Sequence, residues 1–105
     1  EFTDIVENEH KTLPQQLALS NYPNPFNGQT NFKFEIFKPG KVKLCIYNIM
    51  GKEVRLICNN GLEQGKYNLE WDGTDASGHY VSSGIYICQL QKDGICLSKK
   101  VLLVK

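Results

Sequence analysis

The sequence predicts an all-β fold, an antiparallel immunoglobulin-like β-sandwich of about seven strands. Three observations lead to this prediction. Apolar residues alternate with polar ones in a series of short segments, which is the pattern of half-buried strands. Clusters rich in glycine, proline, asparagine and aspartate separate these segments. No helical period is sustained after Leu17, so the pattern does not favour a helical or mixed fold.

The chain of 105 residues has the size of a single domain. Residues 1–16 mix charges with Pro14 and show little periodicity, which predicts a flexible linker; a short amphipathic helix between Ile5 and Leu13 is the alternative. We expect the folded domain to span residues 17–105. The first residues lack the apolar stretch of a signal peptide, so any export signal would lie upstream.

Four strands are predicted in the first half of the domain. Their alternating apolar residues are Leu17 and Leu19; Phe32, Phe34 and Ile36; Val42, Leu44 and Ile46; and Val54, Leu56 and Cys58. Pro39-Gly40 predicts the turn between the second and third strands. The segment from Asn48 to Gly51 has the composition of a tight hairpin loop, in which the glycine supplies a positive φ.

The second half predicts a fifth strand, a long loop and a final hairpin. Tyr67, Leu69 and Trp71 share one face of the fifth strand. The loop from Asp72 to His79 is dense in turn-forming residues, and Tyr80-Val81 could add a brief strand. The hairpin joins Ile85 to Leu90 with Ile95 to Val104. The predicted core consists of Phe32, Phe34, Leu44, Ile46, Leu56, Leu69, Trp71, Tyr86 and Leu90.

Asn21 to Asn27 is the most distinctive segment of the chain, because Pro23 and Pro25 alternate with asparagines. Each proline fixes its own φ and drives the preceding residue towards an extended conformation. We therefore expect a stiff, kinked segment that braces the start of the domain. In this interpretation Tyr22 and Phe26 are aromatic anchors against a neighbouring sheet.

Four cysteines occur in the chain, at Cys45, Cys58, Cys88 and Cys96, and none has the C-x-x-C spacing of a zinc or redox site. Alternation places Cys58 and Cys88 in the core and Cys45 on the face opposite Leu44. Buried free thiols are the favoured interpretation. If a disulfide exists, Cys88–Cys96 across the last hairpin would be the shortest of the possible bridges.

Composition and motif spacing argue against several functional classes. The net charge is +1 with both signs interspersed, so no basic stripe for nucleic acid is present, and the longest apolar run is too short to span a bilayer. Asp72 and Asp75 lack the alternating oxygen ligands of a calcium loop and are interpreted as turn formers. The serines around His79 lack an orienting acid, so no catalytic, metal or cofactor site is predicted. Only Tyr47 and Tyr80 remain as exposed aromatics for binding a sugar.

The end of the sequence, Lys99 to Lys105, frames the apolar run Val101 to Val104 with lysines. One interpretation is a last strand whose lysines protect a sheet edge from aggregation. The other is a terminal strand that a partner recognises by β-augmentation, with the lysines supplying charge recognition. The residue pattern alone leaves both interpretations open.

Four motifs in order together resemble the C-terminal sorting domain of type IX secretion cargo proteins. They are Leu19 to Asn27; Val42 to Val54; Gly65 to Tyr67 with Trp71 to Gly78 and Ser83 to Tyr86; and Lys99 to Lys105. A flagellar hook-capping immunoglobulin-like domain shares the pieces Trp71-Asp72-Gly73 and Ser83-Gly84-Ile85-Tyr86 of the third motif but is not expected to carry the first and last motifs. Gly28 and Asn48 depart from the family pattern without disturbing the turn chemistry, and the cysteines are not part of it.

The resemblance implies a non-catalytic module, without a cofactor, at the end of a larger cargo protein that is secreted or displayed on the cell surface via the periplasm. An outer-membrane translocon would recognise it, and a sortase-like peptidase would cleave upstream of Leu17. The implied recognition residues are Lys99, Lys100, Val101, Leu102, Leu103, Val104 and Lys105. The implied structural residues are Asn21, Tyr22, Pro23, Asn24, Pro25, Phe26, Trp71, Asp72, Gly73, Gly78, Gly84 and Tyr86. The alternative is an accessory carbohydrate-binding or structural immunoglobulin-like module of an extracellular hydrolase.

Overall fold

Seven antiparallel strands form two sheets in the computed structural model, which describes residues 17–105. The strands are β1 (Leu19–Tyr22), β2 (Thr30–Ile36), β3 (Gly40–Asn48), β4 (Glu53–Leu62), β5 (Gly65–Trp71), β6 (Gly84–Lys92) and β7 (Ile95–Leu103). The sheet orders are β1-β2-β5 and β4-β3-β6-β7. The first, second and fifth strands thus face a sheet made of the third, fourth, sixth and seventh, as in an immunoglobulin sandwich. The predicted fold class is confirmed, and the predicted linker, residues 1–16, lies outside the described residues.

The core lies between the two sheets and contains the inward-facing residue of each alternating pair. Trp71 is its largest member, with 1% of its surface exposed. The other fully enclosed large side chains of the core are Phe32, Ile36, Val42, Leu44, Ile46, Leu90 and Val101. Leu69, predicted as core, is partly buried against this cluster. Within residues 17–105 there is no helix with the length and apolar character needed to cross a bilayer.

The prediction that Leu56 belongs to the core was wrong, because the pairing of β3 with β4 shifts register. Leu44 pairs with Cys58, but the next residue, Cys45, pairs with Leu56. The extra residue of such a bulge breaks the simple alternation. Leu56 therefore lies beside Cys45 on the outer face and is 39% exposed, whereas Cys58 stays in the core.

All four cysteines are free thiols. The bridge considered between Cys88 and Cys96 is absent, since their registers differ: Cys88 pairs with Lys99, and Cys96 pairs with Gln91. Positions 88 and 96 consequently face opposite sides of the β6–β7 hairpin. The brief strand considered at Tyr80-Val81 is a single bridge between Tyr80 and Thr74.

The strand order places the loops at two ends of the sandwich. Loops 23–29, 49–52 and 72–83 lie at one end together with the finish of β7, and we call this the tail end. Loops 37–39, 63–64 and 93–94 lie at the other, which we call the entry end. Leu17 lines a cavity there with residues of the 37–39 and 93–94 loops, so the chain enters the domain at this end.

Candidate functional site: the last strand and the motifs that hold it

The tail predicted from sequence forms the second half of β7 and a short extension beyond it. Its side chains alternate between the core and the surface. Val101 and Leu103 are buried, at 0% and 3% exposure. Lys99, Lys100, Val104 and Lys105 are exposed, and Leu102 is half-buried. Only part of the predicted recognition sequence is therefore accessible as side chains while the domain is folded.

The outer edge of this strand is already hydrogen-bonded by the first motif. The Asn24 side-chain amide donates to the Lys100 carbonyl oxygen at 2.8 Å, and its oxygen accepts from the Leu102 N–H at 3.0 Å. The Phe26 N–H donates to the Leu102 carbonyl at 2.9 Å, and the Phe26 carbonyl accepts from the Val104 N–H at 2.9 Å. The Asn24 side chain and the Phe26 backbone thus pair with β7 as a short parallel strand would.

The segment between Asn21 and Phe26 carries the chain from one sheet to the other. β1 pairs with β2 in the three-stranded sheet, whereas Phe26 pairs with Leu103 at the edge of the four-stranded sheet. Both the Tyr22–Pro23 and Asn24–Pro25 peptide bonds are cis. The physical role of this motif is to connect the two sheets along their shared edge.

The two predicted aromatic anchors of this segment behave differently. Phe26 is buried, and its ring lies 5.5 Å from that of Trp71, centroid to centroid. The prediction for Tyr22 was wrong, since its side chain is 77% exposed. Tyr22 pairs with Asn31 at an outward-facing position of β1, and the alternation that leaves Asn21 half-buried turns Tyr22 to solvent.

A buried hydroxyl joins the start of β2 to the first motif. Thr30 is fully buried, and its Oγ1 donates to the Pro23 carbonyl oxygen at 2.6 Å. The same oxygen accepts a hydrogen bond from Asn21 Nδ2 at 2.7 Å. Sequence reasoning did not single out Thr30, because a threonine next to a turn gives no sign of burial.

Trp71 fixes the 72–83 loop, which forms the other part of the site. Its indole N–H donates to the Thr74 carbonyl oxygen at 2.8 Å, which closes the beginning of the 72–83 loop over the core. Its ring also packs edge-on against Tyr86, with 5.3 Å between centroids. The Tyr86 hydroxyl in turn donates to the Ser82 carbonyl at 2.6 Å, so both ends of the loop are fixed by buried aromatic residues.

Arg55 was missed by the sequence reasoning and is the main polar anchor of the loop. Its guanidinium donates to Thr74 Oγ1 at 2.6 Å and to the Asp75 carbonyl at 2.8 Å. The Ala76 N–H also donates to the Val54 carbonyl at 3.1 Å. The only available signal was a lone charge inside an otherwise apolar strand segment.

The two loop aspartates form turns, as predicted. Asp72 accepts hydrogen bonds from the Thr74 hydroxyl and N–H, and these hold the pKa of its carboxyl below the ordinary range. Asp75 accepts from the N–H groups of His79 and Ser77, which lowers the pKa of its carboxyl as well. Among residues 17–105, no group of acidic, histidine or cysteine side chains is arranged to hold a metal ion.

The glycines of the third motif allow conformations that other residues adopt at a cost. Gly73 has φ +79° and is buried against Leu103 and the Phe26 ring, while Gly78 has φ +87° at an exposed turn. Gly73 therefore serves both the turn and the close packing of the loop on the tail. Gly84, with φ +155°, begins β6 opposite Leu103.

The first, third and last motifs meet around one small cavity at the tail end. This cavity, of about 240 Å³, is lined by Asn27, Gly28, Asp72, Gly73, Tyr80, Leu103 and Lys105. The Lys105 ammonium lies 5.6 Å from the Tyr80 ring centroid, and the Lys105 N–H donates to Ser83 Oγ at 3.0 Å. Motifs that are far apart in the sequence thus position the end of β7 together.

The two tyrosines considered for sugar binding do not share a surface. Tyr80 is exposed on the 72–83 loop beside Lys105. Tyr47 is half-buried on the outer face of β3, paired with Ile87. A carbohydrate platform normally needs stacking residues on one surface, so this arrangement does not favour that alternative.

The sequence model for the family described as the secretion system C-terminal sorting domain matches residues 20–105. The chain belongs to this family. The sorting domain thus includes all seven strands except the first residue of β1. Membership supports a secretion-sorting role and implies a cargo that is secreted or displayed at the cell surface. Sorting domains of this family are generally non-catalytic.

Solved structures show the same sandwich at low sequence identity. Dimeric latent PorU from Porphyromonas gingivalis aligns with 84% of the sorting domain chain at 21% identity and a TM-score of 0.66. PorZ from the same organism, described as an essential surface component of its type IX secretion system, aligns with 84% at 18% identity and a TM-score of 0.55. FlgD from P. aeruginosa aligns with 71% at 23% identity and a TM-score of 0.50.

The chain corresponds to 9% of the PorU chain, 12% of the PorZ chain and 59% of the FlgD chain. At these identities the likeness is one of fold. No curated protein sequence matches the sorting domain significantly.

Proposed function

We propose that this sorting domain directs a larger cargo protein through the outer-membrane translocon of a type IX secretion system, and that Lys99 to Lys105 carry the recognition. The family match supports the sorting role. The observation that supports the position of recognition is the convergence of three family motifs on the end of β7, around Leu103 and Lys105. Motifs that fix one strand end so closely are expected where the geometry of that end matters for binding.

The accessible part of the tail defines how a translocon would contact the folded domain. Val101 and Leu103 belong to the core, which leaves the lysines, Leu102 and Val104 for direct contact. β-Augmentation along residues 100–104 would require displacement of Asn24 and Phe26, which already use that edge. Recognition of the outward side chains is therefore compatible with the folded domain. Pairing of a partner strand with the edge of β7 requires that Asn24 and Phe26 first leave that edge.

Processing by a sortase-like peptidase would take place at the other end of the domain. Leu17 enters the sandwich at the entry end, next to Asp93 and Ile95. Cleavage upstream of Leu17 would separate the cargo without any contact with the tail. This separation supports a role in which the domain is recognised first and removed afterwards, so that the cargo is released or attached at the cell surface.

The test is a fusion of the full chain to the C-terminus of an exported fluorescent reporter, produced in a bacterium with a type IX system. We expect reporter outside the outer membrane in the parent strain and periplasmic reporter in a strain without the translocon. A variant without Val104 and Lys105 should remain folded, since both residues are exposed, but should lose most export. Equal export with and without the translocon would contradict the sorting role; full export of the truncated variant would contradict tail recognition.

A further inference from the structure

The outer surface of the four-stranded sheet changes character along its length. Near the tail end it is apolar. Ile85 pairs with Leu102, and Tyr47 pairs with Ile87 in the neighbouring outward row. Cross-strand partners on one face lie within contact distance, so these four side chains form a continuous surface. We call this surface, together with Ile49 and Met50 at the adjacent hairpin tip, the apolar face.

The hairpin tip extends this surface beyond the sheet. Ile49 and Met50 are 74% and 86% exposed. The tip is held by Asn48, whose Oδ1 accepts from the N–H groups of Met50 and Lys52 at 2.9 and 3.0 Å. Ile49 helps to line a cleft of about 340 Å³ whose other walls include Tyr47 and Ile87. Two large apolar side chains are therefore presented to solvent on a rigid turn.

Exposed apolar side chains are unevenly distributed over the described residues. The large apolar residues with the greatest exposure are Tyr22, Ile49, Met50, Leu56, Tyr80, Ile85, Ile95 and Val104. Ile49, Met50, Ile85 and Val104 lie on or next to the apolar face, and Leu56 lies in the row next to it, beside Cys45. Contiguous exposed apolar surface on a soluble domain marks an interaction site.

Positive charge borders the apolar face. Lys100 pairs with Ile87 on the β7 side, and Lys52 follows the hairpin tip. Lys41 and Lys43 occupy outward positions of β3 towards the entry end, in phase with Cys45. Glu53, paired with Tyr47, is the one acid on this border within the described residues. A second copy of the domain would bring these lysines against one another, so the charge pattern disfavours self-association through this face.

From this surface we infer a specific partner contact, which rests on the proposed function. We propose that the apolar face is the surface with which the sorting domain docks on a translocon subunit, and that the subunit offers an apolar patch edged with carboxylates. Leu102 belongs to this face, so the tail contributes to docking as one row of a wider surface. Leu17, the first described residue, lies at the entry end, whereas the apolar face lies towards the tail end.

A matched pair of substitutions tests the proposal in the full-chain reporter fusion. Ile85→Gln removes an apolar side chain from the face, whereas Ile95→Gln makes the same change at the entry end, at similar exposure of 43% and 50%. We expect Ile85→Gln to lower external reporter about tenfold and Ile95→Gln to leave it unchanged, because central apolar contacts dominate binding. The double variant Ile49→Gln/Met50→Gln, at a solvent-exposed tip, should show the same loss without a change in thermal unfolding.

The other possible results of this experiment distinguish failure of the proposed function from failure of this inference. If unaltered chain gives no translocon-dependent export, the proposed function fails and this inference falls with it. If export is normal for the unaltered chain and for both face variants, the docking surface is elsewhere and the inference alone is overturned. Sedimentation velocity and binding to vesicles of anionic phospholipid complete the test. A dimer lost in Ile85→Gln, or vesicle binding lost in Ile49→Gln/Met50→Gln, would reassign the face to a second copy or to lipid.

Discussion

The Asn24 side chain replaces a β-strand residue at the edge of β7, where it accepts a hydrogen bond from the Leu102 N–H at 3.0 Å and donates one to the Lys100 carbonyl at 2.8 Å. A sheet edge normally presents unpaired backbone groups that invite other strands. Here one amide side chain pairs with both groups. The first sequence motif of the domain thereby protects the last one.

Substitution of Asn24 should loosen the tail locally. Asn24→Ala removes both hydrogen bonds and should lower the free energy of unfolding by about 1–2 kcal/mol. In hydrogen exchange, the Leu102 amide should exchange faster, while the Val104 amide, bonded to Phe26, should stay protected. Asn27→Ala, at an exposed position of the same segment, is the control. Unchanged protection at Leu102 would contradict the assignment.

Arg55 should stabilise the 72–83 loop through its two hydrogen bonds. Arg55→Met keeps an apolar stem of similar length but removes the bonds to Thr74 and Asp75, which should cost about 1.5–3 kcal/mol. Urea unfolding followed by the fluorescence of the single tryptophan measures the change, and limited proteolysis should cut the variant within 72–83. Lys66→Met, at an exposed strand position, is expected to change stability by less than about 0.5 kcal/mol. Equal effects of the two substitutions would contradict the anchoring role.

Trp71 should be the costliest residue to truncate. Trp71→Ala removes the contacts with Phe26 and Tyr86 together with the hydrogen bond to Thr74, and a loss of about 3–5 kcal/mol is expected. Circular dichroism in urea provides the measurement, since the fluorescent residue is removed. Tyr80→Ala, in an exposed ring, should unfold at nearly the unaltered urea concentration. A comparable loss in both variants would show that the loop, and not the core, sets stability.

The carboxyl of Asp72 should make stability depend on acid pH. Hydrogen bonds from Thr74 lower its pKa in the folded domain, so the charged form stabilises the fold. This contribution is fully present above the unfolded pKa of about 3.9 and is lost as the pH falls through the lower folded pKa. Asp72→Asn should therefore flatten the stability profile between about pH 5 and about pH 2 measured by urea unfolding. Identical slopes for both proteins would exclude a contribution from this carboxyl.

The four thiols should react unequally. Burial raises the pKa of Cys45 and Cys88, and Cys58 is also buried, whereas Cys96 is exposed. Because the thiolate is the reactive form, iodoacetamide should label Cys96 rapidly and the other three only after unfolding. Peptide mass spectrometry identifies the labelled sites. Rapid labelling of a buried cysteine in the folded domain would contradict the packing described for it.

The fold was predictable because its alternation is strong. Phe32, Phe34, Leu44 and Ile46 alternate strictly, and strand periodicity placed each of them correctly in the core. Leu56 was misplaced because a bulge depends on how two strands pair, and a single strand's sequence carries no record of its partner's register.

The candidate site was only partly predictable, because its decisive contacts join residues far apart in the chain. The motif around Asn24 was conspicuous, but its pairing with Leu102 depends on β1 and β7 meeting at one edge, which requires the complete topology. Arg55 and Thr30 each act through two hydrogen bonds to residues outside their own strand, which periodicity does not reveal. Residue patterns thus predicted which segments matter and left open which surfaces they form.

The parallel pairing of Phe26 with Leu103 has a mechanical consequence. If the upstream chain and the tail are pulled apart along the sandwich, the two paired segments must slide past each other lengthwise. The hydrogen bonds of Asn24 and Phe26 then carry the force together and must break nearly at once, whereas bonds opened like a zipper break singly. Resistance to such pulling is governed by the unfolding rate. The domain would therefore withstand traction on its cargo while the tail is held.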